Sequence, residues 1–354
     1  MRSTVFAVLM SMALGVSAAS EAVDTGAALL EADEAAFLGA HLLRVADTEG
    51  DALSDLLVAD ASKRFSAMDS DIARKPQYEA VRARLMVRVA ASTNDPTLAA
   101  VALLAAEPRQ IDADERIRYL QLLETASAEN AYFAIQLLSL PEYREAPKAA
   151  ALLHRAAEAR QYRSLYMRTL QSVYARLLTL AHAEGVPEFK RLQGMSPETF
   201  SFAYALVYAG TPALPSYRYF VNTCGKDAVD PLRADCRSVA TLMANEADTL
   251  IDTLIANAVL KNLADNDVER AAIEAAQTQL HWRNAQHAKL SVALLPDDGA
   301  PFAKEQDALA ASYTRTLMES GEIVALKVLL QAAEIPLQPP VGWKRGDDLN
   351  PQPN

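Results

Sequence analysis

Glycine is scarce in this chain, at 12 residues in 354, and there are two cysteines and five histidines. Each shortage excludes something. No glycine-rich loop is present to cradle a phosphate, and no G-x-S-x-G turn to present a nucleophilic serine. The histidines form no HExxH pair and no Cys–His cluster. His281 and His287 fall on different faces of a helix, whereas a metal pair on one helix needs a spacing of about three or four residues. There is no acidic calcium loop. Alternating runs of Val, Ile, Thr and Tyr, the signature of strands, are missing too. No cofactor and no metal is expected.

What is present points to helices. Half of the residues are apolar (51%), enough for a sizeable core. Ala, Leu, Glu and Arg dominate, and these lose little conformational freedom in a helix. The expected fold class is all-α. The net charge is −11, which disfavours nucleic acid as a partner, because phosphate neutralisation supplies most of that affinity. The charge is uneven. Residues 21–60 carry ten acidic side chains and one basic one, Arg44, whereas residues 142–193 carry nine basic and five acidic. The acidic stretch reads as a solvated helix face; the alternative is that it docks onto the basic middle of the chain.

Residues 1–19 read as a secretory signal peptide: basic Arg2, an apolar run from Val5 to Val16, then small residues at Ser17, Ala18 and Ala19. The run is shorter than the roughly 20 residues a membrane helix needs, so cleavage after Ala18 or Ala19 is expected, with no transmembrane anchor left. The expected location is the periplasm, with the extracellular space as the alternative. In either compartment Cys224 and Cys236 should be oxidised to a disulfide. Gly225 and Asp230-Pro231 read as a turn leading into a helix start. The bridge would then tie the end of one helix to the second turn of the next, a staple of about 3 kcal/mol.

Tyr166, Leu170, Val173, Tyr174, Leu177, Leu178 and Ala181 form an apolar helical stripe ending at Gly185. Leu250, Ile251, Leu254, Ile255, Ala258 and Val259 form another, and Tyr78, Val81, Leu85 and Val89 a third. Asp95-Pro96, Ser196-Pro197 and Asp230-Pro231 read as caps followed by a first-turn proline. A shift of 34 residues lays Asp95–Leu104 on Glu129–Leu138, and Ser196-Pro197 on Asp230-Pro231. Such a period suits a helical hairpin, and stacked hairpins make an α-solenoid. The architecture resembles a tetratricopeptide array without its consensus: Ala102 and Gln136 stand where glycine is expected. The alternative is an irregular helical bundle. The expected organisation is a signal peptide (1–19), an acidic helical segment (20–60), a repeat domain (61–335) and a Pro-rich flexible tail (336–354). The stretch from Thr199 to Tyr217 lacks charge and reads as the most deeply buried helix.

Glu319-Ser320-Gly321 resembles the Glu-Ser of lytic transglycosylases, which would imply a glutamate acting as acid and base on a glycan. Ile323 to Leu330, however, reads as a plain apolar helix in place of that family's next motif. Glu319 is therefore expected on a helix surface. Residues 162–220 hold seven of the twelve tyrosines and four of the nine phenylalanines, interleaved with arginines. Tyr and Arg are preferred interface anchors. The candidate binding face is Tyr162, Tyr166, Arg168, Tyr204, Tyr208, Tyr217, Arg218 and Tyr219, the alternative being that these rings fill a thick core. The expected function is an exported helical repeat protein that binds a protein or peptide and performs no catalysis. One alternative is a cell-envelope glycan or peptide hydrolase or lyase using unidentified carboxylates. The other is a carrier of a small apolar ligand near Phe200–Tyr208. Oligomeric state is left open. Amino-terminal sequencing of the natural product should begin at Ala19 or Ser20; a start at Met1 contradicts the leader.

Overall fold

A computed structural model describes residues 32–69, 71–92, 94–104, 111–187, 193–209, 217–293 and 302–345. The leader with Ala18 and Ala19, the start of the acidic segment and residues 346–354 lie outside them. The described residues form fifteen α-helices and no strand, so the fold is all-α. They are α1 (Ala32–Asp47), α2 (Ala52–Met68), α3 (Lys75–Ala90), α4 (Pro96–Leu104), α5 (Ala113–Ala126), α6 (Ala131–Leu138), α7 (Ala146–Ala157) and α8 (Leu165–Glu184). There follow α9 (Pro197–Ala209), α10 (Tyr217–Thr223), α11 (Leu232–Glu246), α12 (Leu250–Asn262), α13 (Asp267–Ala293), α14 (Lys304–Ser320) and α15 (Glu322–Ala332).

The helices group into two compact units, each drawn from separated stretches. The first takes the described residues of Met1–Leu98, Arg168–Pro212 and Ala288–Glu319; the second takes those of Ala99–Met167, Ala213–His287 and Ser320–Asn354. Sequence-adjacent hairpins are present, among them α2–α3, α5–α6 and α11–α12. Within the first unit α9 also packs on α2, and within the second α10 packs on α6 and α11 on α7. In a simple stack each repeat touches only its neighbours; here distant stretches interleave. The expected division at residue 60 falls inside α2, which runs on to Met68.

Helix starts follow local chemistry. Asp95 accepts from Thr97 N at 2.7 Å and Ser196 Oγ accepts from Thr199 N at 3.3 Å, so both of these cap–proline pairs stand as expected. Asp230-Pro231 does not. Its peptide bond is cis, Pro231 itself occupies the cap position, and the first free amides are met by backbone, with Arg233 N donating to Val229 O at 2.9 Å. The stripe on α8 is largely buried, and the helix ends before Gly185 at φ +81°. The α12 stripe needs correction. Ile251, Leu254, Ile255 and Ala258 are half-buried, while the inner face carries Asp252, Thr253, Ala256, Asn257 and Val259. α9 is mostly buried, but α6 is buried at all eight positions and is the more enclosed of the two.

The acidic segment is not simply a solvated face. Asp51 caps α2, accepting from Ser54 N at 2.7 Å, and also receives the Ser172 hydroxyl. Asp55 is 1% exposed and accepts from Arg176 Nη1 at 2.8 Å. The docking alternative therefore holds at these residues. Arg176, 2% exposed, also donates from Nε to Val45 O (2.7 Å) and from Nη2 to Ala46 O (3.0 Å). A cation is thus placed on the carbonyls at the C-terminus of α1, where the helix dipole favours it. The described part of the tail is also held rather than loose. In the second unit Trp282 Nε1 donates to Pro336 O (2.8 Å), Arg283 Nε donates to Leu337 O (3.2 Å), and Trp343 meets Trp282 edge to face.

Gly39 marks the tightest approach to α1. A Cβ there would lie 1.9 Å from Tyr78 Oη, whose hydroxyl donates to Asp69 Oδ2 at 2.7 Å. Gly39→Ala should destabilise the chain by about 1–3 kcal/mol through overpacking. Adding Tyr78→Phe, which removes the obstructing oxygen, should recover part of that loss. Urea melts of the two single variants and the double variant check this, and additive losses would contradict it.

Candidate functional site

The most perturbed polar cluster lies in the second unit, where two helix starts meet. Thr249 caps α12: its Oγ1 accepts from Asp252 N at 3.2 Å and donates back to Asp252 Oδ2 at 2.5 Å. This reciprocal pair resembles a capping box. The first amide of α12, Leu250 N, donates to Glu322 Oε2 at 2.6 Å. Glu322 is the first residue of α15, and its own amide donates to Asp248 O at 2.7 Å. Each helix start thus helps satisfy the other's free amides. Gly321, at φ +81°, makes the crossing possible, since a Cβ there would lie 2.9 Å from Asp248 O.

Asp252 sits at the bottom of the cluster, fully buried. Its Oδ1 accepts from Tyr162 Oη at 2.8 Å and from Tyr217 Oη. Burial pushes its pKa up, and the three hydroxyl donors of Thr249, Tyr217 and Tyr162 pull it back. Asp248 and Glu322 are half-buried. Burial raises Asp248 to about 6, against the pull of Ser164, with Asp252 adding to the rise. Burial raises Glu322 to about 7, opposed by the Leu250 amide and reinforced by the two aspartates. Among the described residues no Lys, Arg or His forms an ion pair with any of the three. Nor, among those residues, does any group of three or more His, Cys, Asp or Glu suit a metal ion.

The aromatic residues singled out above divide between the units and do not make one exposed face. Tyr162 and Tyr217 are buried against Asp252, and Tyr132 meets Tyr162 edge to face at 5.7 Å. Tyr204 and Tyr208 are buried in the first unit beside Phe200 and His41. These four rings fill the interior, which corrects the interface reading for them. Tyr166 is half-buried, and Arg168 and Arg218 are exposed. Tyr219 is half-buried, with the Arg144 guanidinium 4.4 Å from its ring centroid. The Phe200–Tyr208 stretch is occupied by its own rings and by His41.

Cys224, just after α10, and Cys236, in the second turn of α11, are fully buried and at disulfide distance, 2.04 Å between sulfurs. Glu319 is exposed in the last turn of α14. His41 is buried, and burial together with the positive charge of Arg44 lowers it to about 4. His287, in the second unit, is lowered to about 4 by burial. Among the described residues, no helix is long and apolar enough to cross a membrane. No protein-family model, curated protein or solved structure matches the chain.

The carboxylate cluster escaped the sequence reading, although Thr249-x-x-Asp252 carries a legible capping spacing. Its titration is a stability statement. The ordinary value of Glu322 is 4.5, and in the fold it is about 7. Between those values the folded state holds more protons than the unfolded one, so this group's contribution is greatest on the acid side and is lost as pH rises through 7. The difference between the urea stabilities of wild type and Glu322→Gln should therefore change steadily between pH 4.5 and 7 and level off beyond. A constant difference across that range would contradict the assignment.

Proposed function

We propose that this chain is an exported, non-catalytic helical module that binds a protein or peptide partner in the periplasm, and that the second unit carries the contact through Arg144, Arg218 and Tyr219. The observation that supports this reading is the Arg144 guanidinium standing over the Tyr219 ring, with exposed Arg218 adjacent in sequence. Of the residues expected to face a partner, Arg218, Tyr219 and Tyr166 keep accessible surface in this unit, and the first two adjoin Arg144 or each other; all are of the types that dominate interface energetics. The cysteine pair is compatible with an oxidising compartment.

The alternative with most chemical content is catalysis by carboxylates. The arrangement favours a structural use for them. Asp252 is enclosed and receives three hydroxyls, Glu322 Oε2 receives the first amide of α12, and Asp248 lends its carbonyl to α15. A general acid or base needs a free approach to substrate at hydrogen-bond range.

Cross-linking in cells exporting the full chain, followed by mass spectrometry, tests the proposal. The same partner should be recovered repeatedly with wild type, and at least about tenfold less with the Arg144→Ala/Tyr219→Ala double variant, which removes two anchor residues. The melting temperature should change little. Equal recovery with both proteins overturns the assigned face, and release of muropeptides by the purified protein overturns the non-catalytic reading.

A further inference from the structure

We propose that His41 is an acid-operated latch in the first unit: neutral, it locks α1 onto α9, and protonated, it lets the part of α1 before Val45 open. The geometry is specific. The Tyr208 hydroxyl spends its one proton on Leu38 O, at 3.1 Å. With its proton so placed it accepts from His41 Nδ1, 2.9 Å away, and the neutral ring carries its proton on Nδ1. Tyr208 lies on α9, while Leu38 and His41 lie one turn apart on α1, so a single hydroxyl joins the two helices twice. The imidazole is 3% exposed and packed by rings: Phe200 edge-on at 5.2 Å, Tyr208 stacked at 6.0 Å, Tyr204 at 6.0 Å and Phe37 at 6.4 Å.

Among the described residues no carboxylate is placed to balance an imidazolium in that position. The charged and titratable groups around it are placed as follows. On α1 itself Arg44 has the same sign and is paired with Glu184 of α8. On α2 the guanidinium of Arg64 donates to Tyr208 O at 2.8 Å, with Asp60 acting on Arg64. On α3 Tyr78 is engaged by Asp69, which also takes Arg74 at 3.2 Å. On α9 stand Tyr204 and Tyr208 and, in the first turn, Glu198, which pairs with Arg315 at 3.8 Å. No carboxylate among the described residues bonds the imidazole. A buried cation without a partner is expensive, so added protons favour conformations in which the ring reaches water. The depressed titration of His41, to about 4, agrees.

Opening should stop near Val45. Beyond it α1 is held by the guanidinium of Arg176 on Val45 O and Ala46 O, and by Arg84 Nη2 on Ala46 O at 3.2 Å. Arginine keeps its charge throughout the acid range. The response is therefore confined to the part of α1 before Val45 and is separable from acid unfolding of the whole unit.

Hydrogen exchange on the full chain at pH 7.5 and pH 5.0, corrected for intrinsic exchange rates, tests the proposal. With an ordinary value of 6.5 and a folded value of about 4, the opening constant of amides 38–45 should rise about 30-fold at the lower pH. His41→Asn keeps a donor for Tyr208 but does not titrate in this window, so it should abolish the rise. A wild-type rise below about threefold, or an equal rise in His41→Asn, overturns the latch. If that variant fails to fold, NMR titration of the imidazole in the wild-type chain decides: a midpoint below 5 supports the latch, and one at 6.5 or above overturns it.

Discussion

One buried guanidinium organises the first unit. Arg176 reaches out of α8 to the last carbonyls of α1 and to Asp55 on α2, and the same Asp55 oxygen accepts from Arg88 on α3. Four helices from two distant stretches of chain converge on that charge. Desolvating it is costly, and the cost is offset only when every partner is in place. An arrangement that separates α8 from α2 leaves the buried guanidinium of Arg176 without its counter-charge. The group therefore specifies an arrangement more than it adds net stability.

The second unit uses the same logic with the opposite sign. Asp252 is enclosed among hydroxyls from Thr249, Tyr162 and Tyr217, which come from the start of α12, the segment before α8 and the start of α10. Above it, Glu322 and Asp248 join the starts of α12 and α15. Uncompensated carboxylates in this unit and an uncompensated imidazole in the other make the two respond to pH in opposite directions. Glu322 weakens its surroundings as it loses a proton, and His41 weakens its own as it gains one.

Local features were legible in the sequence, and long-range ones were not. Helix class, the ends at Gly185 and at the two capped prolines, and the pairing of Cys224 with Cys236 depend on residues close in sequence. The inner face of α12 could not be read from hydrophobic spacing, because Asp252 is drawn inward by partners 35 and 90 positions away. The tyrosine-rich region shows the same limit. Tyrosine suits an interface or a core according to whether water or a buried acceptor takes its hydroxyl, and composition does not contain that information. Tyr219 stays at the surface while Tyr217 turns inward to Asp252. Likewise Asp55 reads as one more charge in an acidic stretch until Arg176 is placed beside it.

The most direct test of this account is a double-mutant cycle between Arg176 and Asp55, measured as unfolding free energies of the full chain with Arg176→Met and Asp55→Leu. Asp55→Leu should cost about 3–5 kcal/mol, since it leaves the buried guanidinium without its counter-charge, and Arg176→Met should cost less, because Asp55 keeps Arg88. The double variant should cost little more than the milder single, a coupling of about 2 kcal/mol or above. Additive losses, with coupling under about 0.5 kcal/mol, would mean that the pair does not hold the first unit together.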